Sequence, residues 1–246
     1  MHSYKPSPAL IAHKKEELHG SVLGPFIQDI VYGGIDGIVT TFAVVSSVAG
    51  AALAHYVVVI MGLANLFADG LSMGVGNFLS IRSERDNYKR LYDEERGEIK
   101  DIPEIEKEEI REIFANKGLE GEELDKVVEK VTANEKLWLE TMMREEHGLS
   151  MDNKKYPALH GSITFISFLI FGSIPVLPYI IGVPHDSRFK IAIVSTLIAL
   201  AILGLVRAGV TKQRWFFGVF EILALGGISA FAAYGVGALL RGMVPI

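Results

Sequence analysis

The chain contains no cysteine. That absence excludes disulfides, thiolate zinc sites, iron–sulfur ligation and a cysteine nucleophile, so any metal must be held by oxygen, imidazole or thioether. Charge is scarce over most of the length. Of the 24 Lys+Arg and 29 Asp+Glu in 246 residues, 15 basic and 22 acidic ones fall between Arg82 and Lys155, leaving 16 charges for the other 172 positions. The charge-poor part holds too much Leu, Ile, Val and Phe to remain a solvated disordered chain. With a net charge of −5 and no basic patch, the electrostatic footprint of a nucleic-acid partner is missing. The first twenty residues carry Lys5, Lys14, Lys15, Glu16 and Glu17 without an apolar core. The expectation is therefore no cleavable signal peptide, with the first apolar stretch acting as the targeting element.

What is present is apolar. Half of the residues are hydrophobic and the mean hydropathy is +0.32, which points to an integral membrane protein. A spanning helix needs about 20 mostly apolar residues, and five stretches qualify: roughly 26–51, 56–81, 159–183, 189–210 and 215–240. The fold class expected is thus an all-α membrane protein with five transmembrane helices. An N-terminal tail (1–25) precedes spans one and two (26–81), a charged helical module (82–155) follows, and spans three to five (156–246) complete the chain. Basic residues in short loops set orientation. The turn at 51–55 has none, whereas the N-terminal tail and the 207–214 connection do, so the tail and the module are expected in the cytoplasm. Arg188 and Lys190 argue mildly the other way.

The charged module reads as helices. Span two is expected to run on to about Ile99, since no proline intervenes before Pro103. Asp101-Ile-Pro-Glu104 reads as an N-cap, an early helical proline and a capping-box acid, and Gly118 as a left-handed helix end. A helix over 120–131 and another opened by Thr132-Ala-Asn-Glu135 and closed by Gly148 complete three helices standing on the extension. On a helical wheel the acids are of two kinds. Glu84, Glu95 and, at the edge, Glu98 share a face with Ile81, Tyr88, Tyr92 and Ile99. Glu106 and Glu109 point into the arc of Ile102, Ile105, Ile110, Ile113 and Phe114. Glu135 and Glu146 fall among Trp138, Leu139, Met142 and Met143. Burying several unpaired carboxylates requires cations, and no lysine or arginine lies on those arcs. A divalent metal remains, and oxygen with optional thioether suits Fe²⁺, Mn²⁺ or Zn²⁺. A highly charged amphipathic bundle with methionines as core filler is the alternative.

Ionisable groups within spans are rare and mark functional candidates. Span one holds Asp36 between Gly34 and Gly37, and span two carries Asn65, Asp69, Met73 and Asn77 at i,i+4 spacing. Helix packing through Asn, Ser and Gly is the bland reading of that stripe. Glu221 suits a helix-end ion pair with Arg207 or Arg214 as well as a transport role, and Pro175 and Pro178 imply a kinked third span.

The runs Asp29-Ile-Val-Tyr-Gly-Gly-Ile-Asp36-Gly-Ile-Val-Thr-Thr-Phe42, Gly62-Leu-Ala-Asn65, Gly70-Leu-Ser-Met73-Gly-Val-Gly-Asn-Phe-Leu79 and Ser83-Glu84 resemble the vacuolar iron transporter family. So do Trp138-Leu-Glu-Thr-Met142-Met143 and Gly172-Ser-Ile-Pro175-Val-Leu-Pro178-Tyr. The likeness covers essentially everything after residue 25. It implies a five-span homodimer that exports Fe²⁺, and often Mn²⁺, from the cytoplasm in exchange for protons, along a path between the paired first and second spans. It also implies that Asp36 and Met73 contact the ion, and that Glu95, Glu98, Glu106, Glu109, Met142, Met143 and Glu146 occupy metal-binding positions. Plant and fungal members carry a glutamate where this chain has Asn65 and a small residue where it has Asp69. An acid one turn along the same face can substitute for that glutamate.

The reading is therefore a divalent metal/proton exchanger, not an enzyme. Its transport path runs through Asp36, Asn65, Asp69 and Met73, it has no tightly bound cofactor, and Fe²⁺, Mn²⁺ or Zn²⁺ is its cargo. It would sit in a vacuolar membrane if eukaryotic and in the plasma membrane if prokaryotic. The rivals are a membrane-anchored di-iron carboxylate oxidase and a metal sensor. Such oxidases use Glu-x-x-His pairs, and the one such spacing here, Glu16-x-x-His19, lies in the N-terminal tail rather than in the charged module.

Overall fold

The computed structural model describes residues 6–11, 24–150, 156–211 and 213–241. Most of the N-terminal tail, together with Lys154 and Lys155, lies outside the described residues. The described elements are helical: α1 (Ile27–Gly50), α2 (His55–Asp101), α3 (Pro103–Asn116), α4 (Gly121–Thr132), α5 (Glu135–Glu145), α6 (Pro157–Ser173), α7 (Leu177–Ile180), α8 (His185–Thr211) and α9 (Trp215–Leu240). The chain divides into two compact units, Leu79–Pro157 and the remainder. Helix α2 runs without a break from one into the other, because nothing between His55 and Ile102 lacks a backbone N–H to donate.

Among the described residues, four helices are long and apolar enough to cross a membrane: 24–50 (α1 with its leading 3₁₀ turn), α2, α8 and α9. The third expected span differs. Instead of one helix over 159–183, α6 stops at Ser173 after 17 residues and the four-residue α7 follows. Pro175 and Pro178 are the cause, since a proline removes a donor and clashes with the carbonyl four residues back.

In the apolar unit, α1 packs against α8 and α9, and close approach to α6 rests on glycine. A Cβ at Gly33 would stand 2.5 Å from the Thr164 carbonyl oxygen, and one at Gly37 would stand 2.5 Å from that of Phe168. The residues one turn earlier on both helices, Asp29 and His160, continue this register and touch through their side chains. Large apolar residues such as Phe67, Phe217, Phe220, Ile228 and Phe231 remain exposed on this unit, as contact with lipid requires.

The charged unit has its own core of Ile99, Ile110, Val128, Val131, Trp138, Leu139 and Met142. The ends of its helices hold two surprises. Asp101 and Glu104 form no capping box: the cap of α3 is Ile102, without a side-chain bond, because α2 continues through Asp101. Helix α5 is capped by Asn134, whose side chain accepts from the Leu137 N–H at 3.1 Å. Gly118 and Gly148 do take positive φ, at 89° and 65°.

Candidate metal centre

The wheel separates correctly at the centre of each helix and fails at its ends. Glu95 and Glu106 are each 2% exposed, and Glu109 is half-buried. Glu84 is exposed, because the partly buried residues that pack on the core begin only at Tyr92. Ile102 and Ile105 are also exposed, at 42% and 54%, since α3 enters the core only from Ile110 onward. Glu135, placed by the wheel at the centre of its face, stands instead on the surface in an ion pair with Arg96 at 3.0 Å. As the first residue of α5, it is not held over a preceding turn.

The acids that converge do so around Glu95. One oxygen each from Glu95, Glu98 and Glu106 lie within 4.8 Å of one another, and so do ligand atoms of Glu95, Glu146 and His147. Glu98 and Glu146 form the exposed side of these groups. Glu95 Oε1 and Glu106 Oε2 are buried with no hydrogen-bond partner among the described residues. A buried carboxylate oxygen left so costs several kcal/mol unless it is protonated or meets a cation. Burial, the adjoining Glu95 carboxyl and repulsion from Glu109 and Glu98 push Glu106 up to about 8. Burial and then Glu95 also raise Glu109 and Glu146, while His147 acts in the opposite sense on both. Hard oxygen ligands around a deep pair of carboxylates, with an open rim, suit a divalent cation. Glu109 bears on Glu95, Glu98 and Glu106 electrostatically but belongs to neither close group. Met142 sits in the apolar core, and Met143 is 1% exposed.

In the apolar unit, Asp36 is half-buried, lies within electrostatic range of Asp69, and lines an open cavity of about 540 Å³ with Tyr32, Arg207 and Ser229. Asn65, Asp69 and Met73 are half-buried, and Asn65 Nδ2 has no partner among the described residues. Asn77 departs from the stripe: its amide donates to Asp29 Oδ1 at 2.7 Å and to Thr164 Oγ1 at 2.8 Å. Glu221 pairs with Arg207 at 2.8 Å.

Sequence reasoning missed three residues. His160 Nδ1 stands 2.5 Å from Asp29 Oδ2 with both side chains 7% exposed. The two are 131 positions apart, and no spacing rule joins them. His147, 3.0 Å from Glu95, had a signal in its place between Glu146 and the helix-ending Gly148.

A sequence profile described as the VIT family matches residues 27–238. The chain is 34% identical to vacuolar iron transporter 1 of Arabidopsis thaliana over 234 residues, covering 94% of this chain and 92% of that one. It is 32% identical to vacuolar iron transporter 2 of Oryza sativa subsp. japonica, with 87% of each covered. To the vacuolar iron transporter of Plasmodium berghei it is 33% identical, with 92% and 86% covered. With a profile spanning most of its length and relatives above 30% identity over nearly all of theirs, this chain belongs to the VIT family.

Proposed function

We propose that the protein is an integral membrane transporter that moves Fe²⁺, and also Mn²⁺, out of the cytoplasm in exchange for protons. The carrying observation is the pair of deeply buried carboxylates, Glu95 and Glu106, each with an oxygen that nothing in the described chain satisfies. A cation arriving from the exposed rim at Glu98 and Glu146 completes them. The names of the relatives supply the metal: each is called a vacuolar iron transporter. In this reading the 82–155 module faces the cytoplasm and captures the ion at Glu95, Glu98, Glu106, Glu109 and Glu146, with Met143 as a soft neighbour. The membrane portion carries it past Asp36, Asn65, Asp69 and Met73. The α6–α7 segment forms the third of five spans, broken at Pro175. Two copies pair along spans one and two, which the exposed Leu71, Val75 and Leu79 of α2 favour. The membrane is the vacuolar one in a eukaryote and the plasma membrane in a prokaryote.

Proton exchange needs a titratable group that both ions compete for, and Asp69, one turn from both Asn65 and Met73, is the assigned group. The test is metal uptake into proteoliposomes under an imposed pH gradient. An acidic lumen should drive Fe²⁺ inward, and Asp69→Asn should remove the dependence on the gradient more than it lowers metal binding. Uptake that ignores the gradient in the parent chain would refute the exchange.

A further inference from the structure

The imidazole of His147 occupies a position that the carboxylate reading leaves unexplained. It lies just past α5, where the Glu146 and His147 N–H groups both donate to the Met142 carbonyl, at 3.0 and 3.4 Å, and the Leu149 N–H returns to Met143 at 2.8 Å. Gly148, at φ 65°, makes this return possible. The ring is thereby anchored by a turn of defined backbone. Its side chain is 23% exposed, and Nε2 stands 3.0 Å from Oε2 of Glu95. Glu95 is itself 2% exposed and holds its other oxygen without a partner among the described residues. Ligand atoms of Glu95, Glu146 and His147 lie within 4.8 Å of one another. Around a metal at about 2.1 Å such atoms stand roughly 3–3.5 Å apart, a closure that rotation of the exposed Glu146 side chain supplies.

We propose that His147 is a nitrogen ligand to a divalent metal ion held with Glu95 and Glu146, a site separate from the all-oxygen group of Glu95, Glu98 and Glu106 and joined to it through the two oxygens of Glu95. The proposal rests on the reading that the charged unit binds divalent metal, and it adds a basis for selection. Imidazole is a good ligand for Fe²⁺ and Zn²⁺ and a poor one for Mg²⁺ and Ca²⁺, which take all-oxygen shells. A site with one nitrogen therefore rejects the abundant cytoplasmic Mg²⁺, which a purely carboxylate site admits. Nε2, the atom facing Glu95, is the ligating atom, which places the ring proton on Nδ1.

The test uses the full chain in detergent, loaded with Mn²⁺ alone and read by pulsed electron paramagnetic resonance. Directly bound imidazole imposes ¹⁴N modulation on the manganese echo, and carboxylate does not. The parent chain should show it. His147→Gln, which keeps a hydrogen-bond donor toward Glu95, should lose it while Mn²⁺ remains at the oxygen group, with Fe²⁺ affinity reduced about tenfold and Mg²⁺ affinity within about twofold. His147→Glu should restore Mn²⁺ stoichiometry without nitrogen modulation. Stoichiometric Mn²⁺ whose echo carries no modulation dependent on His147 would overturn the proposal and leave the carboxylate reading standing. Mn²⁺ binding indifferent to Glu106→Gln would instead bring down that reading, and this proposal with it.

Discussion

Both units of the molecule bury carboxylates, and they treat them differently. In the apolar unit Asp29 engages both oxygens: Oδ1 accepts from Asn77 at 2.7 Å and Oδ2 meets His160 at 2.5 Å. In the charged unit Glu95 and Glu106 are buried at least as deeply, yet each retains an oxygen with no partner among the described residues. Equal burial therefore does not mean equal role. A carboxylate whose lone pairs are satisfied by side chains from two other helices fastens those helices together. One left with a buried oxygen that no donor satisfies is destabilised until a proton or a metal arrives. Asp36 is a third kind, half-buried on an open cavity with Asp69 in electrostatic range.

The comparison breaks most visibly at Asp36. Asp36→Asn keeps the size and hydrogen-bonding capacity of the side chain but removes the charge that compensates a desolvated cation. Metal flux into proteoliposomes should fall to background while calorimetric Mn²⁺ binding by the charged unit stays within about twofold. Parent-like flux in this variant would remove Asp36 from the path.

Glu95→Gln comes next. It lies in both converging groups, so metal affinity should fall by at least about 100-fold, in line with the loss expected for a central ligand. The unfolding temperature of the metal-free protein should nonetheless hold or rise, because a neutral amide relieves the crowding of acids. The fastened pair should respond in the opposite way. His160→Ala strands a buried Asp29 and should destabilise the apolar unit by about 3 kcal/mol, seen as a lower unfolding temperature in detergent, with metal stoichiometry on the charged unit unchanged. Were His160→Ala neutral for stability and Glu95→Gln neutral for metal, the distinction between fastener and ligand would collapse.

A subtler contrast lies in pH. Glu106 has its folded-state pKa pushed up to about 8 from an ordinary 4.5. Its folded form thus holds a proton that the unfolded chain has released, so the contribution of Glu106 to the stability of the metal-free charged unit is full below about pH 4.5 and is lost as the pH rises through about 8. Metal reverses the slope, since the ion displaces the proton and its affinity climbs over the same window. Unfolding followed between pH 5 and 8, with and without Mn²⁺, should show slopes of opposite sign, and Glu106→Gln should flatten both.

How much of this was legible in the sequence follows from the same physics. Apolar length and glycine punctuation gave α1, α2, α8, α9 and the helices of the charged unit to within a few residues, because burial in lipid and helix termination act locally. Helical periodicity found Glu95 and Glu106, which lie mid-helix over packed neighbours. It misplaced Glu84 and Glu135: Glu84 lies on α2 ahead of the residues that pack on the core of the charged unit, and Glu135 opens α5. The break in the expected third span was visible as Pro175 and Pro178, the prolines that follow the helix end at Ser173. The Asp29–His160 contact was out of reach, since a pair 131 residues apart is set by the register of two helices rather than by any local pattern.

The smallest expected effect concerns Glu221, an acid in an apolar helix whose sequence position fits a transport role as well as an ion pair. Its carboxylate meets Arg207 at 2.8 Å, with 57% of the glutamate and 30% of the arginine side chain exposed. A pair with that much access to solvent contributes about 0–1 kcal/mol, because water screens the attraction and both side chains lose rotamer freedom in holding one geometry. Arg207 also lines the cavity that holds Asp36, so the pair tests whether charge near that cavity matters for flux or only for anchoring α8 to α9. Glu221→Gln should leave Fe²⁺ uptake within about twofold and shift the unfolding temperature by no more than a degree or two. An uptake loss approaching that of Asp36→Asn would move Glu221 from the class of fasteners into the transport path, and would show that solvent exposure is a poor guide to which carboxylates the ion meets.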